Sequence, residues 1–176
     1  MSKTFSLKRV QLIPSNLEKV WDFFSDPLNL PLITPPEMKI RIISENENQK
    51  IYPGQIIEYK VTPLPFYTSH WVTEITLVEP HKMFIDEQRS GPYSLWQHQH
   101  IFQESDEGVK MVDIIHYKIP LGYLGTLANS LLVRKKIEHI FEYRAKIINE
   151  LFHINDRINT KKNEPLKGSF KKIFKR

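Results

Sequence analysis

The chain has 176 residues, of which 40% are hydrophobic and 26% charged, so it is long enough to fold as one domain with its own core. It contains no cysteine, which excludes disulfide scaffolds, thiol catalysis and cysteine-based zinc or iron–sulfur sites, and no apolar run approaches the roughly 18 residues of a membrane-spanning helix. The net charge of +5 resides in the C-terminal end, because residues 1–156 carry 17 basic and 19 acidic side chains, and this balance argues against a nucleic-acid-binding surface.

The N-terminal part of the chain predicts one strand followed by two short helices. The first residues lack the apolar segment of a signal peptide, which predicts a cytoplasmic protein. Residues Thr4–Ile13 are rich in β-formers and predict a strand. Helical spacing of apolar residues predicts a helix at Asn16–Ser25, and the pair Ser15 and Glu18 has the spacing of a capping box. A second helical turn is predicted at Leu28–Ile33.

From there the hydrophobic pattern changes to a period of two and then to a long helix. Turn signals rich in Pro and Gly separate the alternating segments. A helix is predicted over Leu124–Leu151, because apolar residues recur along one face while charged residues occupy the other. The six strands predicted before it are Lys39–Ser44, Ile56–Val61, Ser69–Val78, Met83–Arg89, Ser94–Glu104 and Val109–Ile119.

This order of elements predicts an α+β fold of the helix-grip type. Seven strands form a curved antiparallel sheet that wraps around the long C-terminal helix, and two short helices follow the first strand. If the short helices close one end, a cavity remains between the sheet and the long helix. We therefore expect one domain over residues 1–156.

The sequence also resembles a known superfamily over about residues 3–152. The helix motif from Val20 to Pro27 is common to that superfamily, and the segment from Asp86 to Phe102 is more specific. The other matching motifs are Ile33-Thr34-Pro35-Pro36, Tyr52-Pro53-Gly54, Trp71, Glu74-Ile75, Gly91-Pro92-Tyr93, Trp96-x-His98-x-His100-x-Phe102, Asp113, Tyr117 and Pro120-Leu121-Gly122. On these residues the chain resembles the SRPBCC superfamily of START domains, polyketide cyclases and pollen-allergen-like carriers, and within it a bacterial ligand-binding subgroup. The resemblance implies a helix-grip fold and a bound small molecule, with no metal and no cofactor.

The period of two places a polar patch on the inner face of the predicted sheet. Folding the chain about Gly91-Pro92 sets Asp86 opposite His98, and folding it about Ser105–Gly108 sets His100 opposite Asp113. Directly opposite side chains have Cβ atoms about 4.5–5.5 Å apart, so we expect His100 and Asp113 to lie within hydrogen-bonding distance and His98 and Asp86 to be similarly close.

Three interpretations of this patch remain open. The groups could pair for structural reasons, since an unpartnered buried polar group is costly, or they could recognise the polar end of a ligand. The third interpretation is chemistry, either proton transfer by a His–Asp pair or binding of a divalent ion. We predict no metal, because the groups lie on three adjacent strands of an open sheet and the resemblance implies none.

The expected function is binding of a small hydrophobic or amphipathic molecule in the cavity, as a carrier or a sensor. The alternatives are an enzyme of the cyclase, aromatase or dehydratase type that uses the same cavity, and an interaction module. No reaction and no oligomeric state follow from the sequence. The residues predicted to contact the ligand are Tyr59, Trp71, Thr73, Asp86, Gln88, Trp96, His98, His100, Asp113 and Tyr117.

The C-terminal residues 157–176 form a basic tail with eight Lys or Arg and one acidic residue. We expect it to be flexible, because its few apolar side chains cannot offset the cost of ordering it. Phe170, Ile173 and Phe174 would share one helical face among lysines, which predicts weak contact with an anionic membrane through residues 170–176. The alternative is a disordered tail that only aids solubility.

Overall fold

The computed structural model describes residues 3–44, 50–64, 67–120 and 132–159, with side chains described as far as His153. Within these ranges the chain forms seven strands, two α-helices and two 3₁₀ helices. The predicted helix-grip α+β fold is confirmed.

All seven strands belong to one antiparallel sheet with the order β1-β7-β6-β5-β4-β3-β2. Register shifts within β3–β4 and β4–β5 mark bulges, which bend a sheet and increase its twist. In this order β1 lies at one edge of the sheet beside β7, although the two strands are far apart in sequence. The strands are β1 (Phe5–Ile13), β2 (Arg41–Ile42), β3 (Ile56–Leu64), β4 (Tyr67–Glu79), β5 (Met83–Ser90), β6 (Leu95–Ser105) and β7 (Gly108–Lys118).

The first helix, α1 (Leu17–Phe24), begins one residue later than the capping-box spacing predicts. The side chain of Asn16, rather than Ser15, accepts a hydrogen bond of 2.9 Å from the backbone N–H of Lys19. Asn is as good an N-cap as Ser, and here it occupies the position that presents its oxygen to the first turn. The predicted capping box is therefore wrong, while the predicted helix is confirmed.

The second predicted helix is a 3₁₀ helix, Pro27–Ile33, and a further 3₁₀ turn follows at Pro36–Met38. That turn ends at Lys39, whose φ of 45° is left-handed. The strand predicted over Lys39–Ser44 consequently shortens to Arg41–Ile42, because the turn uses its first residues.

The long helix, α2 (Arg134–Asn159), extends further than its predicted end at Leu151. The predicted start at Leu124 falls in residues 121–131, which lie outside the described residues. Because α2 continues to Asn159, the first residues of the predicted basic tail are helical, and residues 160–176 lie outside the description. Among the described helices, none has a segment long and apolar enough to cross a bilayer.

Two apolar clusters form the interior between the sheet and α2. The larger one gathers α1, the 3₁₀ helix and the C-terminal part of α2, including Phe102, Ile148 and Phe152. The smaller one lies towards the N-terminal end of α2, where Ile137 and Phe141 pack on the inner faces of β1 and β7. Neither cluster contains the Asp, His and Arg side chains of the interior, which are described next.

Candidate functional site

Five ionisable side chains meet in the interior between β5, β6, β7 and α2. Asp86 comes from β5, His98 and His100 from β6, Asp113 from β7 and Arg144 from α2. Four of them are buried, and the Asp86 side chain is 19% exposed. We call this set the polar cluster.

The strand register of the polar cluster is the one that the sequence predicts. Asp86 pairs with His98, and His100 pairs with Asp113. The shortest contacts, however, run along the diagonals of these pairs: His98 Nε2 lies 2.8 Å from Asp113 Oδ1, and His100 Nε2 lies 2.8 Å from Asp86 Oδ2.

The atoms of the directly opposite pairs lie slightly further apart than those of the diagonal pairs. His100 Nδ1 lies 3.2 Å from Asp113 Oδ1 without forming a hydrogen bond, and His98 Nδ1 lies 3.6 Å from Asp86 Oδ2. His100 and Asp113 therefore lie within the expected hydrogen-bonding distance, and His98 and Asp86 lie close by. The shortest contacts run to the diagonal neighbours of the ladder, because imidazole rings are long enough to reach them. Each histidine thus lies between both carboxylates.

Aromatic rings hold the two imidazoles in place. The rings of His98 and His100 lie side by side with centroids 3.7 Å apart, and Phe84 stacks on His100 at 4.0 Å. The edge of Phe141 from α2 meets His98 at 5.5 Å. Packing on several sides leaves the imidazoles little rotamer freedom, which fixes the direction of their nitrogen atoms.

The environment shifts the pKa of every member of the polar cluster. Burial disfavours both carboxylates, but hydrogen bonds from the histidines and their charges outweigh it, so the pKa values of Asp86 and Asp113 lie below the usual range. Burial lowers the pKa of His98, and the charge of its neighbour His100 lowers it further. Burial opposes the charged form of His100 as well, but its contacts with Asp113 and Asp86 prevail and raise its pKa. Burial lowers the pKa of Arg144 against the attraction of both carboxylates.

Arg144 is the member of the cluster that sequence reasoning does not single out as a site residue. It occupies a position in the apolar stripe of α2, and a cation at such a position is the signal that could have identified it. Its guanidinium carbon lies 4.9 Å from the centre of the Phe141 ring, and its Nε has no hydrogen-bond partner in the described structure. His100 Nδ1 is likewise buried without a hydrogen bond.

An aromatic group adjoins the polar cluster on the inner face of the sheet. The rings of Trp71 and Trp96 meet edge to face at 5.4 Å, and Tyr93 contacts both. Trp96 also lies 6.4 Å from the His98 ring, which connects the aromatic group to the polar cluster. The two tryptophans are only half-buried although they point inward, so the described elements do not cover them completely.

The remaining predicted site residues occupy different environments. Tyr59 and Thr73 are buried on the inner face, and the pKa of Tyr59 is raised by burial and by the nearby charge of Asp86. Tyr117 is buried and packs against Tyr93. Gln88 uses its amide to hold the β5–β6 turn, since it exchanges two hydrogen bonds with the backbone of Tyr93.

Described residues line hollows at two places near the site. One hollow, of about 320 Å³, lies beside the β5–β6 turn and is lined by outer-face residues such as Glu87 and Arg89 and by the predicted contacts Gln88 and Trp96. The other, of about 100 Å³, opens between β1 and α2, where Arg9 and Arg144 surround Asp113. The smaller hollow therefore connects the surface to the polar cluster, and neither is lined by the predicted contacts Tyr59, Trp71 and Thr73.

Comparison with known proteins identifies the fold. No family model matches the sequence, and no curated protein matches it significantly. Three solved structures share the architecture. The aromatase/cyclase Zhui from Streptomyces sp. R1128 is 14% identical with a TM-score of 0.66, over 86% of this chain and 94% of its own. A point mutant of norcoclaurine synthase from Thalictrum flavum, solved with a transition-state analogue, is 12% identical with a TM-score of 0.60, over 85% and 97%. Major latex-like protein 151 from Panax ginseng is 13% identical with a TM-score of 0.62, over 85% and 97%. The chain thus shares the fold of these three proteins.

Proposed function

We propose that the protein binds a small, mostly apolar molecule between the sheet and α2, with a polar group of that molecule directed at the polar cluster. The observation that carries this proposal is the buried Arg144 Nε, which has no hydrogen-bond partner in the described structure. Most buried polar atoms in proteins are hydrogen-bonded, so this atom calls for an explanation, and a ligand oxygen would supply it.

The aromatic group supplies the apolar part of such a site. Trp71 and Trp96 are half-buried on the inner face, and Trp96 contacts the His98 ring. Ligand sites in proteins commonly combine apolar and aromatic walls with a few polar groups that fix orientation. The aromatic group next to the polar cluster has that composition, and it favours an amphipathic ligand over a purely hydrophobic one.

Native mass spectrometry of freshly purified protein tests the proposal directly. We expect a population whose mass exceeds that of the chain by a small organic molecule, and acid denaturation should release it. A second measurement uses 8-anilinonaphthalene-1-sulfonate as an apolar probe, followed by ¹⁵N NMR of the three indole N–H groups. Saturable binding should shift the indole signals of Trp71 and Trp96 and leave that of Trp21, which packs against Phe84 and Phe102, nearly unchanged. A mass equal to the bare chain, together with unchanged signals of Trp71 and Trp96, would contradict the proposal.

The pairing of the two imidazoles favours an enzyme as the second candidate function. The rings of His98 and His100 lie 3.7 Å apart, and the pKa of His98 is lowered while that of His100 is raised, so His98 suits the role of a base and His100 that of an acid. Titratable neighbours whose pKa values diverge are a common arrangement for general acid–base catalysis. Similar folds include a cyclase and norcoclaurine synthase, so the fold is compatible with both candidates. Chemical change of the co-purified molecule on incubation, lost in His98→Gln, would favour the enzyme, whereas stoichiometric binding without change would favour the carrier.

A further inference from the structure

Three donor atoms of the polar cluster converge on one point. One ligand atom each of Asp86, His98 and His100 lies within 4.8 Å of the other two. Asp86 Oδ2 is 2.8 Å from His100 Nε2 and 3.6 Å from His98 Nδ1. Two ligands that are each about 2.1 Å from a tetrahedral metal ion are about 3.4 Å apart, so the observed spacings lie on either side of the required one. Small side-chain adjustments would be enough to place an ion between the three atoms.

Asp113 completes the arrangement from the opposite edge of both imidazoles. Its Oδ1 lies 2.8 Å from His98 Nε2 and 3.2 Å from His100 Nδ1, the two nitrogen atoms that point away from Asp86. Histidines that bind metal ions usually donate their second ring N–H to a carboxylate or carbonyl, which fixes the tautomer and the ring orientation. In this cluster the Asp113 carboxylate is placed to accept the second ring N–H of both histidines.

The contact between His98 and Asp86 supplies a second, independent reason. His98 Nε2–H donates to Asp113, so in the neutral ring Nδ1 carries a lone pair and faces the Asp86 carboxylate at 3.6 Å. Two acceptors that face each other in the interior are unfavourable unless a proton or a cation lies between them. A metal ion at this point would bind both.

We propose that Asp86, His98 and His100 bind a divalent transition-metal ion, with Asp113 as the carboxylate that orients both imidazoles. Two imidazoles and one carboxylate suit Zn²⁺, Co²⁺ or Fe²⁺ better than Mg²⁺ or Ca²⁺, which prefer oxygen ligands alone. Three protein ligands also leave at least one coordination position for water or another small ligand.

The three ligand groups carry a negative charge of their own. With neutral imidazoles, Asp86 gives them a charge of −1 and Asp113 adds a second negative charge beside them, while the guanidinium groups of Arg144 and Arg9 lie near Asp113 and oppose a cation. The sequence predicts no metal because three strands of an open sheet do not reveal whether side chains converge; here one nitrogen atom of each imidazole faces Asp86 Oδ2, at 2.8 Å for His100 and 3.6 Å for His98. The metal site does not rest on the proposed small-molecule function, and it is tested without any organic ligand.

Titration of the full-length, chelator-treated protein with Co²⁺ tests the site, because protein-bound Co²⁺ of low coordination number absorbs visible light far more strongly than the aqueous ion. We expect an absorption band that saturates at one Co²⁺ per chain and is displaced by Zn²⁺, which binds nitrogen and oxygen sites more tightly. Asp86→Asn and His100→Gln should abolish the band. Asp113→Asn retains all three ligands and should weaken binding by about 10- to 100-fold.

The matched control is His70→Gln. His70 forms an exposed contact of 2.7 Å with Glu58, also a histidine and a carboxylate on neighbouring strands, but without the second imidazole. This variant should bind Co²⁺ as the unmodified chain does. Circular dichroism confirms that each variant is folded, and ¹⁵N-histidine NMR of the unmodified chain with Zn²⁺ gives a result that needs no variant. We expect coordination through His98 Nδ1 and His100 Nε2. Absence of saturable binding, binding that survives Asp86→Asn, or unchanged signals of these two nitrogen atoms would overturn the proposal.

Discussion

Replacing Asp113 with Asn should destabilise the protein markedly, because it leaves two imidazoles facing a neutral amide. The Asp113 side chain is 9% exposed, accepts a hydrogen bond from His98 at 2.8 Å and lies 3.2 Å from His100. Removing one partner of a buried ion pair costs about 3–5 kcal/mol. Asn retains an oxygen that can accept the His98 N–H, so we expect the lower end, about 3 kcal/mol. At a denaturant dependence of about 2 kcal/mol/M, the urea midpoint should fall by about 1.5 M.

The loss should depend on pH in a defined direction. Because the pKa of Asp113 is lowered on folding, its stabilisation is present above the unfolded-state pKa of about 3.9 and disappears as the pH falls towards the folded-state value. Because the pKa of His100 is raised, its share is present below the unfolded-state pKa of about 6.5 and is lost as the pH rises through its folded-state value. The difference between the two proteins should therefore be greatest at mildly acidic pH.

Urea unfolding followed by circular dichroism, with EDTA present, measures this difference. Glu58→Gln is the matched control, because Glu58 contacts His70 at 2.7 Å but both side chains are more than 40% exposed. Exposed pairs contribute about 0–1 kcal/mol, so this variant should unfold almost as the unmodified chain does. If Asp113→Asn lost less than about 1 kcal/mol at pH 6, the ionic contacts of the polar cluster would not be those described.

Three further predictions concern other parts of the chain. Gly108→Ala should lower the unfolding free energy by more than about 1–3 kcal/mol, because a Cβ would overlap the carbonyl of Ile13 and φ is +126°. Gly54→Ala, at a φ of +86° with open space around the Cβ, should lower it by less, and thermal unfolding compares the two variants. Asn16→Ala removes the N-cap of α1 and should lower the unfolding free energy by about 1 kcal/mol, while Asn16→Asp should retain it. Truncation after Asn159 retains all described residues of α2, and it should abolish sedimentation with anionic liposomes if the basic residues beyond it bind membranes; equal sedimentation of both proteins would leave them as a solubility element.

The strand register of the site could be predicted because burial restricts it severely. A shift of one residue in β6 would turn His98 and His100 to the outer face and bring Gln97 and Gln99 inward, and few cores tolerate that exchange. The turns at Gly91 and Gly108 then align the neighbouring strands, and the observed pairs Asp86–His98 and His100–Asp113 follow. Periodicity and turn positions are therefore sufficient to assemble the sheet part of the polar cluster.

The hydrogen bonds and the helix contribution could not be predicted in the same way. Which carboxylate each imidazole selects depends on side-chain rotamers and on the stacking of Phe84, and a strand pattern contains neither. Arg144 joins the cluster only when α2 is docked on the sheet, and the rotation of α2 about its axis is a tertiary property. The first residue of β2 could not be predicted for a local reason, because no strong sequence signal marks the left-handed conformation of Lys39 that delays the strand.

The energetic cost of the polar cluster argues that folding alone does not explain it. Taking a carboxylate or a guanidinium out of water costs several kcal/mol per ion, and the attraction between buried charges often only offsets that cost. Apolar side chains of similar volume at these positions would extend the contact between the two apolar clusters that the polar cluster separates. In a sheet-and-helix core of this kind, buried ion pairs are frequently replaceable by apolar residues without loss of stability. Their presence here, with Arg144 Nε lacking a hydrogen bond and three metal-binding groups close together, is therefore better explained by what they bind than by the stability they add.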